Sequence, residues 1–193
     1  MNIVLIQGHP EAGGGRFCHA LAAAYAEGAR AGGHQLRQVD VADLSFPLLR
    51  SQHEWSAGPV PPDIAQAQAA VKWAQHVVLV YPMWLGEMPA LLKGFLEQLL
   101  RPGFGTSAVE DGQRWTRLLT GRSARIVVTM GMPALAYRLW FGAHSLRSLK
   151  RNILAFCGIG PLRDTLIGNV EGCGTAARER WLARMRELGR AAG

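Results

Sequence analysis

The feature that most constrains this chain is an alternation of two kinds of segment. Five short strand-like runs occur at Ile3–Ile6, Gln35–Val41, Val77–Tyr81, Arg125–Thr129 and Thr165–Val170. Between them lie longer segments with helical spacing near 16–31, 62–75, 89–100 and 144–156, and a last helix is expected from about Thr175 to Arg190. Strands buried on both faces read as continuous apolar runs, and the first and third runs do. In the last helix Trp181, Met185 and Leu188 recur at helical spacing, and Thr175 after Gly174 is the expected N-cap. Strand and helix alternating in this way select a parallel sheet with right-handed crossovers. The expected class is three-layer α/β. The Pro-rich stretch at 58–62 is too short to divide two domains and no repeat is present, so residues 1–193 are expected to form one domain.

Size and composition narrow the class further. A chain of 193 residues with 49% apolar and 18% charged residues has material for one full core. No apolar run approaches the roughly 20 residues that cross a bilayer, so no stable membrane insertion is expected. Met1 to Ile6 reads as a first strand and not as a signal peptide. Cys18, Cys157 and Cys173 are odd in number and form no CxxC, which points away from a disulfide framework or zinc site and toward the cytoplasm. The net charge of +7 is uneven: residues 1–113 hold 7 Lys/Arg and 10 Asp/Glu, and residues 114–193 hold 14 and 4. No nucleic-acid motif accompanies the basic half, so no nucleic-acid partner is expected. A solvated basic face and a contribution to binding nucleotide phosphates both remain open.

In open α/β sheets ligands lie beyond the carboxyl ends of the strands. Three loops are therefore informative. The first, residues 7–18, carries Gly8, Gly13, Gly14 and Gly15 and leads into a helix through Arg16, Phe17 and Cys18. Glycines allow close backbone approach, a helix start offers free N–H donors, and Arg16 adds charge, so an anion fits. The loop is neither GxGxxG nor a P-loop. A plain glycine turn is the alternative. His9 either meets the ligand or caps the loop, and no metal-ligand spacing links the histidines, so no metal is expected.

The second loop, Tyr81 to Pro89, places Pro82, Met83, Trp84, Leu85 and Gly86 where the chain meets solvent. A stiff apolar rim suits a planar ring, and it equally suits a hydrophobic cap or subunit contact. The third loop runs through Thr129, Met130 and Gly131 to Tyr137 and His144. A Tyr hydroxyl and an imidazole sharing a cleft can deliver a proton; a snorkelling Tyr and a surface His are the plainer reading.

The run from Tyr81 through Gln98, with Pro82, Trp84, Met88-Pro89-Ala90 and Leu92-Lys93-Gly94-Phe95, followed by Pro102-Gly103-Phe104, resembles the NAD(P)H:quinone oxidoreductase family of flavodoxin-like fold. Gly8-His9-Pro10 and Thr129 to Gly131 fall in the family's order, and the resemblance covers roughly residues 1–170. It implies a five-stranded sheet of order 2-1-3-4-5. It implies a flavin with its phosphate in the first loop and its ring on Pro82 to Leu85 and Thr129 to Gly131, with NAD(P)H as co-substrate. A quinone-like acceptor, azo or nitro compounds included, would be reduced by ping-pong hydride transfer in a homodimer. Tyr137 and His144 look like counterparts of a Tyr and a His that assist hydride transfer in the mammalian enzymes. The chain departs from the family's S-F-N at Arg16-Phe17-Cys18, and it lacks the long C-terminal extension of the mammalian enzymes, so FMN is expected ahead of FAD. The alternatives are a regulatory subunit of a potassium-efflux transporter, a flavodoxin-type electron carrier, and an NAD(P)-binding enzyme without flavin.

Overall fold

The computed structural model describes residues 1–107 and 114–192. Strands β1 (Asn2–Gln7), β2 (Gln35–Asp40), β3 (His76–Pro82), β4 (Ser123–Thr129) and β5 (Leu162–Ile167) form one sheet in the order β2-β1-β3-β4-β5. Every pairing is parallel: Ile3 lies beside Leu36 and His76, His76 beside Ser123, and Ala124 beside Leu162. The expected class and strand order are therefore those observed.

The helices are α1 (Phe17–Ala31), α2 (Gln52–Ser56), α3 (Pro62–Trp73), α4 (Ala90–Leu99), α5 (Ala134–Leu139), α6 (His144–Ser148) and α7 (Thr175–Ala191). The period-two alternation of a strand feeds two cores. On one face Ile3, Leu5, Val78, Val80, Val127 and Ile167 pack with Leu21 and Tyr25 of α1 and Met185 of α7. On the other, Val4, Ile6, Val77, Leu79 and Ile126 pack with Ile64 of α3, Phe95 of α4 and Leu146 of α6. Helices α1 and α7 touch backbone to backbone: a Cβ at Gly28 would fall on the Arg186 carbonyl, and one at Gly189 on the Tyr25 carbonyl.

Three local expectations are corrected, and two short helices are added. The fifth strand runs Leu162–Ile167 and not Thr165–Val170, because the chain turns off the sheet at Gly168 and Asn169, the latter at φ 55°. As an edge strand it carries Arg163, Asp164 and Thr165, which weakens its apolar signal. Thr175 is the first residue of α7 and Gly174 is the cap, with no side-chain cap bond. The helix expected over 144–156 is α6 followed by a π-helical segment, Leu149–Leu154. Helices α2 and α5, of five and six residues, are too short to show a period in sequence.

Candidate functional site

Strands β1, β3 and β4 end together, and a cleft of about 410 Å³ opens where they do. It is lined by His9, Glu11, Gly15, Arg16, Phe17, Cys18, Pro82, Trp84, Thr129, Val170, Glu171 and Arg178. Two chemically distinct halves meet in it. One is the first turn of α1 with its glycine loop. The other is the apolar floor of Pro82 and Trp84 beside Thr129.

The loop half offers donors. Gly13 and Gly14 have φ of 91° and 79°, and neither they nor Gly15 has an atom within 4 Å of an added Cβ, so the backbone is open to a ligand. Gln7 builds the junction: its side-chain N–H donates to the Cys18 carbonyl at 3.1 Å, and its Oε1 accepts the His9 N–H at 3.0 Å. His9 is buried, its ring centroid 4.9 Å from that of His19 and 6.0 Å, edge-on, from Trp84. Its Nδ1 accepts the Glu11 N–H at 3.1 Å. Burial, and then the neighbouring His19, lower its pKa, so at neutral pH it is the uncharged Nε2–H tautomer with one donor to offer.

Two arginines bring charge. Arg16 is exposed and holds Glu11 through Nε at 2.8 Å, so the expected phosphate ligand already has a carboxylate partner. That partner's pKa is lowered chiefly by the Arg16 hydrogen bond. Arg178, in the first turn of α7, was not among the expected residues. Its guanidinium donates to the Cys173 and Val170 carbonyls at 3.0 and 3.1 Å and lies 5.1 Å from the Phe17 ring centroid. Two helix N-termini thus border the same cleft, each contributing a positive dipole end. The sequence signal for Arg178 was its place near the start of a helix following the fifth strand, where open α/β sheets bind ligands.

The apolar half is built by a hairpin. Trp84 and Glu87 exchange N–H···O bonds at 2.9 Å, with Leu85 at φ 47° and Gly86 at φ 80° between them. Positive φ at both central residues is a type I′ turn, which favours glycine; a leucine there costs about 1–2 kcal/mol. Leu85 is fully exposed at its tip. The Met83 N–H is committed to the Thr129 carbonyl at 2.7 Å, tying this loop to β4. Cys18 Sγ lies 3.0 Å from Thr129 Oγ1, and burial pushes its thiol pKa up to about 12. It is a packed neutral thiol.

Of the expected cofactor contacts, His9, Gly15, Arg16, Phe17, Cys18, Pro82, Trp84 and Thr129 converge on the cleft. Met83, Leu85, Gly86, Met130 and Gly131 adjoin it without lining it: Met130 is buried in the core, and Gly131 faces Glu171. Tyr137 and His144 do not share it. Tyr137 is 3% exposed, its hydroxyl lies 2.6 Å from Ser145 Oγ, and it accepts the Leu146 N–H at 3.1 Å. It closes the α5–α6 turn from within, whereas His144 is exposed on the surface. The expected proton-delivering pair is therefore not assembled in this structure. Among the described residues no cluster of three His, Cys, Asp or Glu is placed to hold a metal.

A family model described as flavodoxin-like fold matches residues 1–188. The chain belongs to this family. An uncharacterized NAD(P)H oxidoreductase of Haemophilus influenzae is 28% identical over 183 residues, 93% of this chain and 89% of that protein. An FMN-dependent NADH:quinone oxidoreductase of Ruegeria pomeroyi is 31% identical over 138 residues, 62% of this chain and 66% of that protein. The solved NAD(P)H:quinone oxidoreductase of Methanothermobacter marburgensis superposes with a TM-score of 0.81 at 22% identity, covering 98% of this chain and 96% of that one.

Proposed function

We propose that this protein is a flavin-dependent NAD(P)H oxidoreductase that holds FMN and reduces quinones or similar acceptors. The observation that carries this reading is the divided cleft. Its loop half supplies the open backbone of Gly15, a helix start, the His9 donor and Arg178 for a phosphate; its floor supplies Pro82, Trp84 and Thr129 for a flat ring. The residues fit the group. When bound, FMN supplies the redox chemistry, taking a hydride from NAD(P)H and passing two electrons to the acceptor in two half-reactions at one site.

The chain's own part is binding, orientation and exclusion of water. Gln7 fixes the loop against α1, so that the N–H groups of the first turn are aimed before any ligand arrives. The I′ turn at Leu85 and Gly86 holds Trp84 over the cleft, and the Met83–Thr129 bond keeps the two walls of the floor together. Preset donors near a ring stabilise negative charge that develops on it. A potassium-efflux ancillary protein of Cronobacter sakazakii is 36% identical over only 76 residues, 38% of that protein, whereas the oxidoreductase of Haemophilus influenzae matches over 93% of this chain, so the transporter-subunit and electron-carrier readings are the less favoured.

Three finer statements complete the proposal. The chain is one domain and works in the cytoplasm, the latter supported by three free cysteines. FMN is favoured over FAD. A second copy sits on the apolar groove of α4, about 220 Å³, lined by Leu96, Leu100, Ile153 and Phe156 with Lys93 and Glu97 at its rim. Lys93 and Glu97 pair with each other at that rim, so no uncompensated charge opposes a second copy across a two-fold axis.

The decisive experiment releases the cofactor from purified protein and identifies it by absorbance and mass, then measures NAD(P)H consumption with a soluble quinone. About one FMN per chain and steady turnover are expected. Colourless protein that takes up neither FMN nor FAD overturns the proposal.

A further inference from the structure

Helix α5 and the turn after it carry four exposed large apolar side chains within seven residues. Leu135, Leu139, Trp140 and Phe141 are 67%, 76%, 86% and 52% exposed. Leu135 and Leu139 are one turn apart on α5, and Trp140 and Phe141 continue from them. The chain then reverses through two left-handed residues, Gly142 at φ 61° and Ala143 at φ 48°, into α6. Contiguous exposed apolar surface of this kind marks an interaction site.

The corner is held in place and does not dangle. Asp164 on β5 accepts from Arg138 at 2.7 Å and from Lys150 at 2.6 Å, so one carboxylate ties α5 and the π-helical segment to the sheet edge. Inside, the buried Tyr137 hydroxyl braces Ser145 and Leu146. Four large apolar side chains are thereby presented to solvent on a rigid support.

Charge identifies the occupant. Residues 134–163 contain five Lys or Arg and no Asp or Glu. Asp164 offsets one of the two cations it holds, while Arg147, Arg151 and Arg163 stay exposed. A second copy docked by the same corner would set these cations against themselves with no free carboxylate in the segment to answer them. A tip of Trp, Phe and Leu set among Arg and Lys matches an anionic bilayer surface, where the apolar tip enters the interface and the cations meet the headgroups.

We infer that the α5–α6 corner is a peripheral docking surface for anionic phospholipid membranes. Helix α5 begins five residues after Thr129 of the cleft, so docking by the corner holds the cleft near an acceptor dissolved in the lipid. That consequence rests on the proposed activity; the binding itself does not.

The test is co-sedimentation of the full protein with vesicles of phosphatidylcholine alone, and of phosphatidylcholine with about one third phosphatidylglycerol, at low salt and near 1 M salt. Sedimentation with the anionic vesicles at low salt is expected, weakened in high salt and on neutral vesicles. Leu139→Ser with Trp140→Ser, and separately Arg147→Gln with Arg151→Gln, each lower the partition by about tenfold or more. Both double variants keep wild-type flavin content and wild-type turnover with a water-soluble quinone, which separates this outcome from failure of the proposed activity. Absence of wild-type binding, or equal binding by the variants, overturns the inference. So does lipid-free self-association of the wild type that the Leu139/Trp140 variant abolishes, since a second copy would then own the corner.

Discussion

The Arg178 guanidinium lies 5.1 Å from the Phe17 ring centroid, and through this contact the last helix meets the first at the mouth of the cleft. Two of its donors, Nε and one Nη, hold the Cys173 and Val170 carbonyls, so the side chain is preset. A preset cation loses less freedom on meeting a phosphate than a mobile one.

Arg178→Ala should therefore weaken FMN binding more than Arg16→Ala. A charge-assisted contact from Arg178 to the phosphate would be worth about 1.5–3 kcal/mol, roughly 10- to 100-fold in Kd. Arg16 is exposed and already paired with Glu11, so its removal should cost well under tenfold. Fluorescence titration of apoprotein with FMN measures both; equal losses would show that the two arginines share the phosphate.

Gly28→Ala should destabilise the fold by about 3 kcal/mol, because the new Cβ meets the Arg186 carbonyl and α7 cannot yield without leaving the sheet. Gly172→Ala, with no atom within 4 Å and ordinary φ, should stay within about 0.5 kcal/mol of wild type. Urea midpoints decide the comparison.

Thiol reactivity follows burial. Cys18 and Cys157 are buried, and burial pushes their thiols up to about 12 and about 11. Only a thiolate reacts with iodoacetamide. Cys173 is partly exposed and should be alkylated first in native protein, with the other two labelled after unfolding. Peptide mass mapping over a time course reads the order.

Stability should fall in mild acid through His76. It is buried with Nδ1 2.7 Å from Ser123 Oγ, and burial, then Arg125, Arg163 and His34, lower its pKa to about 4. The fold thus favours the neutral ring: its contribution is complete above the ordinary value of 6.5 and is lost as pH falls from there to about 4. The loss amounts to about 3 kcal/mol. Urea melts at pH 7 and pH 5 should differ less in His76→Gln than in wild type.

Tyr137→Phe should lower stability by about 1–3 kcal/mol, since Ser145 Oγ and the Leu146 N–H lose their buried partner. Bound flavin and turnover should stay near wild type, as should both in His144→Gln. Stopped-flow measurement of each half-reaction checks this; slowed half-reactions in a stable Tyr137→Phe protein would restore the catalytic role expected from sequence.

The sheet was legible in sequence because buried parallel strands are apolar on both faces, and Ile3–Ile6 and Val77–Tyr81 are uninterrupted. The cleft's place followed, since strand ends and glycine loops are local features. The edge strand β5 was misplaced by its polar residues, and α5 was too short to register. What the linear sequence does not contain is side-chain direction after a turn. Tyr137 and His144 stand seven positions apart after a strand-end loop, yet the left-handed pair Gly142–Ala143 sends one inward and the other out. Likewise Arg178 reaches the cleft only because Gly28 and Gly189 let α7 lie directly on α1, a contact between segments more than 150 residues apart that becomes visible only when the sheet has brought them to one face.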